Sequence, residues 1–150
     1  MKNVLFVCLG NICRSPMAEA MARAAADRAG LEATFDSAGT GAWHVGEPPD
    51  RRAQAAARAR GLDLSPLRAR QAKAADFAAF DLILAMDRNN LAALQAIRPP
   101  GARAELRLFT SLIGPAAPAD VPDPYYEGDF DGVLDLIETG AKGLIAELAA

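Results

Sequence analysis

The chain has 150 residues, of which 51% are hydrophobic and 23% charged, and a formal net charge of −3. This length and composition are typical of one soluble domain with its own core, so we expect a single domain over residues 1–150. The small negative charge excludes a general attraction to nucleic acid, and no apolar run approaches the roughly 20 residues that cross a bilayer. The start of the chain lacks the pattern of a signal peptide, which predicts a cytoplasmic protein with no membrane partner.

Predicted strands and helices alternate along the chain. Four apolar runs are typical of buried strands, and they lie at residues 2–7, 32–38, 81–86 and 105–109. Helical spacing and capping residues mark the other segments, which cover residues 17–29, 50–60, 73–80, 89–97 and 130–148. We expect Ser15 and Asp50 to cap the first two helices, with Pro16 at the first helical position. The alternation predicts an α/β fold in which helices cover both faces of a parallel sheet.

The residues that connect the first strand to the first helix, CLGNICRS, are expected to bind an anion. They follow the carboxyl end of a strand, where parallel sheets bind their ligands. Gly10 and Asn11 tolerate left-handed backbone geometry, so several N–H groups can converge beside the helix N-terminus. The guanidinium of Arg14 matches two oxygens of a phosphate. The sequence therefore predicts a phosphate-binding loop made of Cys8, Leu9, Gly10, Asn11, Ile12, Cys13, Arg14 and Ser15.

Cys8 stands at the edge of this loop and is a candidate nucleophile. A field that holds a dianion also stabilises a thiolate, to which Ser15 can donate a hydrogen bond. The alternative is a small buried hydrophobe at a strand end, but strand, Gly-Asn turn, Arg-Ser pair and helix start all agree with the nucleophile. Cys13, on the far limb, is not expected to attack; we hypothesise that it forms a reversible disulfide with Cys8 under peroxide. Two cysteines and one histidine indicate neither a disulfide framework nor a metal site.

The string VCLGNICRSPMAEA at residues 7–20 resembles the low-molecular-weight protein tyrosine phosphatases. Later landmarks of that family follow in the same order: SAGTGAW (37–43), GEPPDRRA (46–53), ARQ (69–71), FDLILAMDRNN (80–90) and DPYY (123–126). The resemblance implies a Rossmann-like, four-stranded parallel sheet with strand order 2-1-3-4. It also implies hydrolysis of protein phosphotyrosine through a cysteinyl-phosphate, without metal or cofactor. In this family pattern Cys8 is the nucleophile, Arg14 binds phosphate, and a hydrogen-bond network through Asn11, Ser15 and Ser37 holds the loop.

A phenolate leaving group requires a general acid, for which Asp123 is the best candidate. It lies between two prolines on a long loop and precedes two tyrosines. An Asp-Pro pair is also a common turn, and the residues alone favour that interpretation. The resemblance reverses the preference, because it assigns the acid, and afterwards the base, to the DPYY motif. Asp87 and Asp120 are rivals; we expect Asp87 to cap a helix and support the loop, and Asp120 to be solvated.

An aromatic rim is expected above the phosphate-binding loop. Ile12, Trp43, Tyr125 and Tyr126 would form a deep slot that suits phosphotyrosine better than phosphoserine. The alternative for Trp43 is core packing, and His44 could face the rim or be exposed without a catalytic role. The resemblance also suggests that a tyrosine kinase phosphorylates the two tyrosines.

One departure from the family pattern concerns the support of the loop. Many members carry a histidine near Leu67 that braces the loop asparagine, and this chain has none there. Water or another side chain would have to brace Asn11 instead. The substrate is expected to be a tyrosine-phosphorylated protein or peptide, and the chain to be a monomer or weakly self-associated.

Three rival functions are open. A thiol-linked arsenate reductase needs resolving cysteines, but no cysteine follows Cys13. A protein arginine phosphatase, which resembles this family closely, carries threonine where Ile12 stands, so tyrosine is favoured. A non-catalytic phosphotyrosine-binding module would need neither Cys8 nor Asp123.

Overall fold

Four short strands, all parallel, form the sheet in the computed structural model, which describes residues 2–150. The strands are β1 (Lys2–Cys8), β2 (Ala33–Gly39), β3 (Leu82–Ala85) and β4 (Glu105–Leu108). Their order in the sheet is β2-β1-β3-β4. The predicted fold class and the strand order 2-1-3-4 are therefore confirmed.

Helices follow the strands as the spacing predicted, with shorter bounds in places. They are α1 (Arg14–Ala29), α2 (Arg51–Arg58), α3 (Asp76–Ala79), α4 (Arg88–Ile97), α5 (Pro124–Glu127) and α6 (Phe130–Ala149), with a 3-10 turn at Phe109–Leu112. The single-turn helix α5 was not predicted, and Asp123, which we expected on a long loop, directly precedes it. Among residues 2–150, no helix has the length and apolar character needed to cross a membrane.

The start of α1 differs from the prediction. Ser15 is not the N-cap: the helix begins at Arg14, and Cys13 occupies the cap position without a side-chain cap bond. The hydroxyl of Ser15 faces the thiol of Cys8 instead, at 3.0 Å. The reason is position: Ser15 lies inside the first turn, where its oxygen cannot accept from the following N–H groups as a cap residue does, and Pro16 is the third helical residue rather than the first. The first-turn N–H groups of α1 thus remain uncapped by a side chain.

The central strand β1 is buried on both faces and fixes the position of the loop that follows it. Val4 and Phe6 face the larger core beneath α1 and α6, whereas Leu5 and Val7 face the second core beside α4. Side chains that alternate between two cores pin the register of a strand, since a slip by one residue would exchange the faces. Packing on both faces therefore fixes the position of the carboxyl end of β1, from which the loop begins.

Candidate active site

The loop between β1 and α1 turns sharply enough to gather backbone donors. Asn11 has a left-handed backbone with φ of 58°, and its N–H points at the sulfur of Cys8, 3.3 Å away. The N–H groups of Gly10, Ile12 and Cys13 donate to no atom within the described residues. Strand β2 approaches this loop so closely at Gly39 that a Cβ there would lie 2.7 Å from the carbonyl oxygen of Leu9. Unpaired donors around a tight turn form an anion-binding nest.

Cys8 lies at the base of this nest with only 3% of its surface exposed. Its sulfur has two donors nearby, the Ser15 hydroxyl at 3.0 Å and the Asn11 N–H at 3.3 Å. The N-terminus of α1 adds partial positive charge at the same point. Hydrogen bonds and a positive field both favour the ionised form of a thiol.

Cys13 is in a different environment although it belongs to the same loop. Its thiol is buried, and that burial raises its pKa; the nearby charges of Asp50 and Cys8 raise it further. The thiol of Cys13 therefore stays protonated at neutral pH. This agrees with the expectation that Cys13 does not attack.

Arg14 is held from below by partners on two other segments. Its Nη1 donates to Oδ2 of Asp87 at 2.7 Å and to the carbonyl oxygen of Val121 at 3.0 Å. Burial, at 2% exposure, works against its charge, but the negative groups Cys8, Asp87 and Asp123 outweigh it and raise the pKa of Arg14. A guanidinium fixed in this way presents its remaining N–H groups in a defined direction.

The two rivals to Asp123 have other structural partners. Asp87 accepts from Arg14 through one oxygen and from the backbone N–H of Asn90 through the other, at 2.7 Å. It caps α4 as predicted. Asp120 is only partly exposed and pairs with Arg88 at 3.1 Å, outside the lining of the cavity.

Asp123 reaches the same place from the far end of the chain. It caps the short helix α5, with Oδ1 accepting from the N–H of Tyr125 at 3.1 Å. Its other oxygen, Oδ2, lies 3.5 Å from Nη2 of Arg14. One carboxylate oxygen is thus committed to the helix cap, and the other faces the arginine and the cavity.

A cavity of about 240 Å³ opens above the loop and joins these groups. Cys8, Arg14 and Asp123 line it together, and so does the predicted rim, which is Ile12, Trp43, Tyr125 and Tyr126. His44 also lines it, with Nδ1 bonded to Glu47. All the groups predicted for catalysis and for the rim therefore meet in one space.

The rim residues differ in how far they project. Trp43 is 72% exposed and Tyr126 is 77% exposed, so the alternative of core packing for Trp43 is wrong. The rings of Tyr125 and Tyr126 meet edge to face with centroids 5.1 Å apart. Ile12, by contrast, is buried and contributes only to the lower wall. Exposed aromatic faces around a cavity can contact a flat substrate ring.

Two residues that the sequence interpretation missed support this arrangement. Arg52 donates to the carbonyl oxygen of Tyr125 at 3.2 Å and lies over the rings of Tyr125 and Phe130, with centroid distances of 5.4 and 4.9 Å. Glu19, the other, is a buried carboxylate on α1. The available signal for Glu19 was a single charge within the otherwise uncharged run 15–22. No feature of the sequence indicated the contacts of Arg52, because they join segments far apart in the chain.

A backbone N–H group, that of Arg70, braces Asn11 in place of the family histidine. Oδ1 of Asn11 accepts from the N–H of Arg70 at 2.9 Å. Its Nδ2 donates to Oγ of Ser15 at 2.8 Å and to Oγ of Ser37 at 3.0 Å. Ser37 in turn donates to Oε1 of Glu19 at 2.7 Å. The loop asparagine is therefore fully bonded without a histidine.

The fold and the cavity together define a small α/β protein with a loop of unpaired N–H groups at the carboxyl edge of its sheet, which is the kind of place where such folds bind anions. Comparison with known proteins gives the family. The model described as "Low molecular weight phosphotyrosine protein phosphatase" matches residues 3–150. The chain is 43% identical over 150 residues to the low molecular weight protein-tyrosine-phosphatase YfkJ of Bacillus subtilis, covering 99% of this chain and 96% of that protein. The chain belongs to the low-molecular-weight protein tyrosine phosphatase family, a family of hydrolases that act on phosphoproteins.

Further relatives and solved structures agree with this assignment. The low molecular weight phosphotyrosine protein phosphatase of Schizosaccharomyces pombe is 50% identical over 135 residues, which covers 88% of this chain and 85% of that one. The crystal structure of YfkJ matches with a TM-score of 0.94 over 99% of this chain and 95% of that chain. A Drosophila arginine phosphatase, 34% identical, matches with a TM-score of 0.92 over 100% of this chain and 99% of that chain.

Proposed function

We propose that this phosphatase hydrolyses phosphotyrosine through a cysteinyl-phosphate, with Cys8 as nucleophile, Arg14 as phosphate ligand and Asp123 as general acid and base. The observation that carries the proposal is their convergence: the three side chains come from β1, α1 and a loop more than a hundred residues later, yet line one cavity. Each has the environment that its role requires. The sulfur has two donors, the guanidinium is anchored, and the carboxylate keeps one oxygen facing the cavity.

In the first step the thiolate of Cys8 attacks phosphorus and the bond from phosphorus to the phenolic oxygen breaks. Arg14 and the unpaired N–H groups of the loop hold the equatorial oxygens, where negative charge is concentrated. Asp123 transfers its proton to the departing oxygen, so that a neutral phenol leaves. The Ser15 hydroxyl steadies the sulfur before the attack.

In the second step water replaces the phenol. Asp123, now a carboxylate, accepts a proton from the water as its oxygen attacks phosphorus, and the sulfur–phosphorus bond breaks. Phosphate and the Cys8 thiolate are the products, which restores the enzyme. Because the first step requires ionised Cys8 and protonated Asp123, the rate should be bell-shaped in pH.

The shape of the cavity favours an aryl phosphate. Trp43 and the two tyrosines rise above the loop, so a phosphate reaches Cys8 only at the end of a long, flat group. Phosphoarginine is the second candidate substrate, because a Drosophila arginine phosphatase shares this fold at 34% identity. Ile12 in the lower wall favours the aromatic substrate.

The deciding experiment compares phosphotyrosine, phosphoserine and phosphoarginine peptides with chelator present, using the parent and Cys8→Ser. We expect turnover of phosphotyrosine alone, abolished in the variant. Preference for phosphoarginine would keep the mechanism and change the substrate. Turnover that survives Cys8→Ser would overturn the nucleophile, and binding without turnover would indicate a binding module.

Asp123 is tested separately with Asp123→Asn. General acid catalysis contributes about 10²–10⁴-fold, so a substrate with a poor leaving group should lose activity in that range. A substrate with a good leaving group should lose much less. Near-normal turnover of the poor leaving group would move the acid to Asp87 or Asp120.

Further parts of the proposal concern the whole chain. Both cores pack on one sheet, which supports a single domain over residues 1–150. Tyr126 is exposed enough to be phosphorylated by a tyrosine kinase, and that modification would place a charge at the cavity entrance. We also propose a cytoplasmic protein that is monomeric or weakly self-associated. Size-exclusion chromatography with light scattering tests the oligomeric state.

A further inference from the structure

We infer that Glu19 is a positioning residue for the reaction: its buried carboxylate ends a chain of hydrogen bonds and thereby directs the proton of Ser15 toward Cys8. The inference rests on the proposed role of Cys8 as nucleophile. Glu19 touches neither substrate nor sulfur, and acts through Ser37, Asn11 and Ser15.

The surroundings of Glu19 are unusual for a carboxylate. Only 3% of the residue is exposed, although it sits on α1 among alanines and methionines. One oxygen accepts from Nη2 of Arg23 at 2.8 Å, and Arg23 also donates to the carbonyl oxygen of Phe35 at 2.8 Å. The other oxygen accepts from Ser37 at 2.7 Å. A buried charge needs such partners, and one of them, Ser37, connects Glu19 to the phosphate-binding loop through Asn11.

The direction of the hydrogen bonds in this series is fixed at one end by the backbone N–H of Arg70, which can only donate. The backbone N–H of Arg70 meets Oδ1 of Asn11, so that atom must be the amide oxygen. Both amide hydrogens of Asn11 then point the other way, one to Ser15 and one to Ser37.

At the other end of this series of hydrogen bonds, the direction is fixed by the ionised carboxylate of Glu19, which can only accept. An ionised Glu19 has no proton to give, so the single proton of Ser37 must go to Oε1. The oxygen of Ser37 is thereby left to accept from Asn11. If Glu19 were an amide or a neutral acid, it could donate to the Ser37 oxygen, which would then be shared between two donors, and the bond from Asn11 to Ser37 would weaken.

The last link reaches the nucleophile. Ser15 already accepts from Asn11, so its one proton is free to be donated, and the Cys8 sulfur at 3.0 Å is nearer than the carbonyl oxygen of Ala38 at 3.4 Å. A donated hydrogen bond stabilises the thiolate over the thiol. An ionised Glu19 thus assigns the proton of Ser37 directly, and through the Ser37 oxygen it holds Asn11 in the position from which the other amide hydrogen reaches Ser15.

A direct charge effect of Glu19 has the opposite sign. A negative charge acting through space disfavours a thiolate, so its removal would favour ionisation of Cys8. The charged groups that act on Glu19 are Arg23 on the same helix and Asp36 on β2. Substitution of Glu19 thus separates the two effects by the direction of the change.

The test measures the rate at which iodoacetamide alkylates the protein across pH, with the modified residue identified by mass spectrometry. In Glu19→Gln we expect the midpoint of the Cys8 alkylation curve to rise by about 0.5 to 1 pH unit, the size of a weakened hydrogen bond to a charged group. The matched control Arg23→Lys keeps the charge beside Glu19 and should leave the midpoint where the parent has it. A midpoint that is unchanged or lower in Glu19→Gln overturns the inference.

The route through Ser37 is tested by a double variant. Ser37→Ala should raise the midpoint, and adding Glu19→Gln to it should have no further effect, because the chain is already broken. Additive shifts would mean that Glu19 acts by another route and would overturn the inference. If Glu19→Gln fails to fold, the apolar pair Glu19→Met with Arg23→Met replaces it, and its midpoint must also rise.

Failure of this inference is distinguishable from failure of the proposed function. If the parent is alkylated at a residue other than Cys8, the proposed nucleophile is wrong. If Cys8 reacts in the parent and the Glu19 variants match it, only the positioning role is wrong.

Discussion

The carboxylate of Asp87 offers a sharp test of how Arg14, the proposed phosphate ligand, is held. One of its oxygens accepts from Nη1 of Arg14 and the other from the backbone N–H of Asn90, each at 2.7 Å. In Asp87→Asn a single oxygen remains for two donors, and the new NH₂ group must face one of them. The substitution therefore breaks one of the two bonds without any change of shape.

The size of the loss follows from which bond breaks. A hydrogen bond to a charged group is worth about 1.5–3 kcal/mol, and a neutral acceptor is roughly half as strong as an ionised one. If the amide oxygen turns to Asn90, kcat/KM should fall about 100-fold; if it stays on Arg14, it should fall about 5-fold. The second orientation also removes the cap of α4, at about 1 kcal/mol of unfolding free energy.

Two aryl phosphates with good and poor leaving groups serve as substrates in this assay. Because Asp87 positions the phosphate ligand and transfers no proton, both substrates should lose activity by the same factor. Asp120→Asn is the control, since that carboxylate pairs with exposed Arg88 and should change kcat/KM less than twofold. Activity of Asp87→Asn within twofold of the parent, or a loss confined to the poor leaving group, would refute the reasoning.

Three further substitutions have defined outcomes. Arg52→Ala removes the bond to the Tyr125 carbonyl and should lower kcat for a poor leaving group several-fold, while Cys8 alkylation stays unchanged; equal loss on a good leaving group would contradict a role in holding the acid loop. Cys13→Ala should make peroxide inactivation harder to reverse with thiol, and equal recovery in parent and variant would exclude the Cys8–Cys13 disulfide. Burial raises the pKa of Glu19 above its ordinary 4.5, so the folded state holds that proton more tightly and loses stability as pH rises through the folded pKa. The melting temperature of Glu19→Gln relative to the parent should therefore increase from about pH 4.5 to pH 7, whereas a constant difference would show that burial does not dominate.

Local sequence predicted the parts of the molecule in which neighbours along the chain suffice. The strand, the Gly-Asn turn and the helix start follow from hydrophobic period and backbone preference, and together they place Cys8 and Arg14 on one loop. The capping roles of Asp50 and Asp87 are equally local, and both are confirmed. Ser15 was assigned to the wrong partner because the sulfur that attracts its hydroxyl lies seven residues earlier, across the loop.

The long-range part of the site depended on the resemblance to a family rather than on the residues. Asp123 looks like an ordinary turn residue by itself, and its place in the same cavity as Cys8 follows from where the sheet brings the loop before α5. Glu19 and Arg52 escaped prediction because each acts through packing between elements. A buried carboxylate shows in sequence only as a charge on a helix, and its partners on β2 are decided by which face packs.

By itself, then, the sequence determined the α/β alternation, the tight turn between β1 and α1, and the family, since these depend on contiguous patterns of side-chain size, period and turn geometry. Only the tertiary structure decided which carboxylate faces the cavity, what replaces the missing histidine beside Asn11, and where the hydrogen-bond chain ends. Those choices depend on distances between segments far apart in the chain, and such distances exist only once both faces of the sheet are packed.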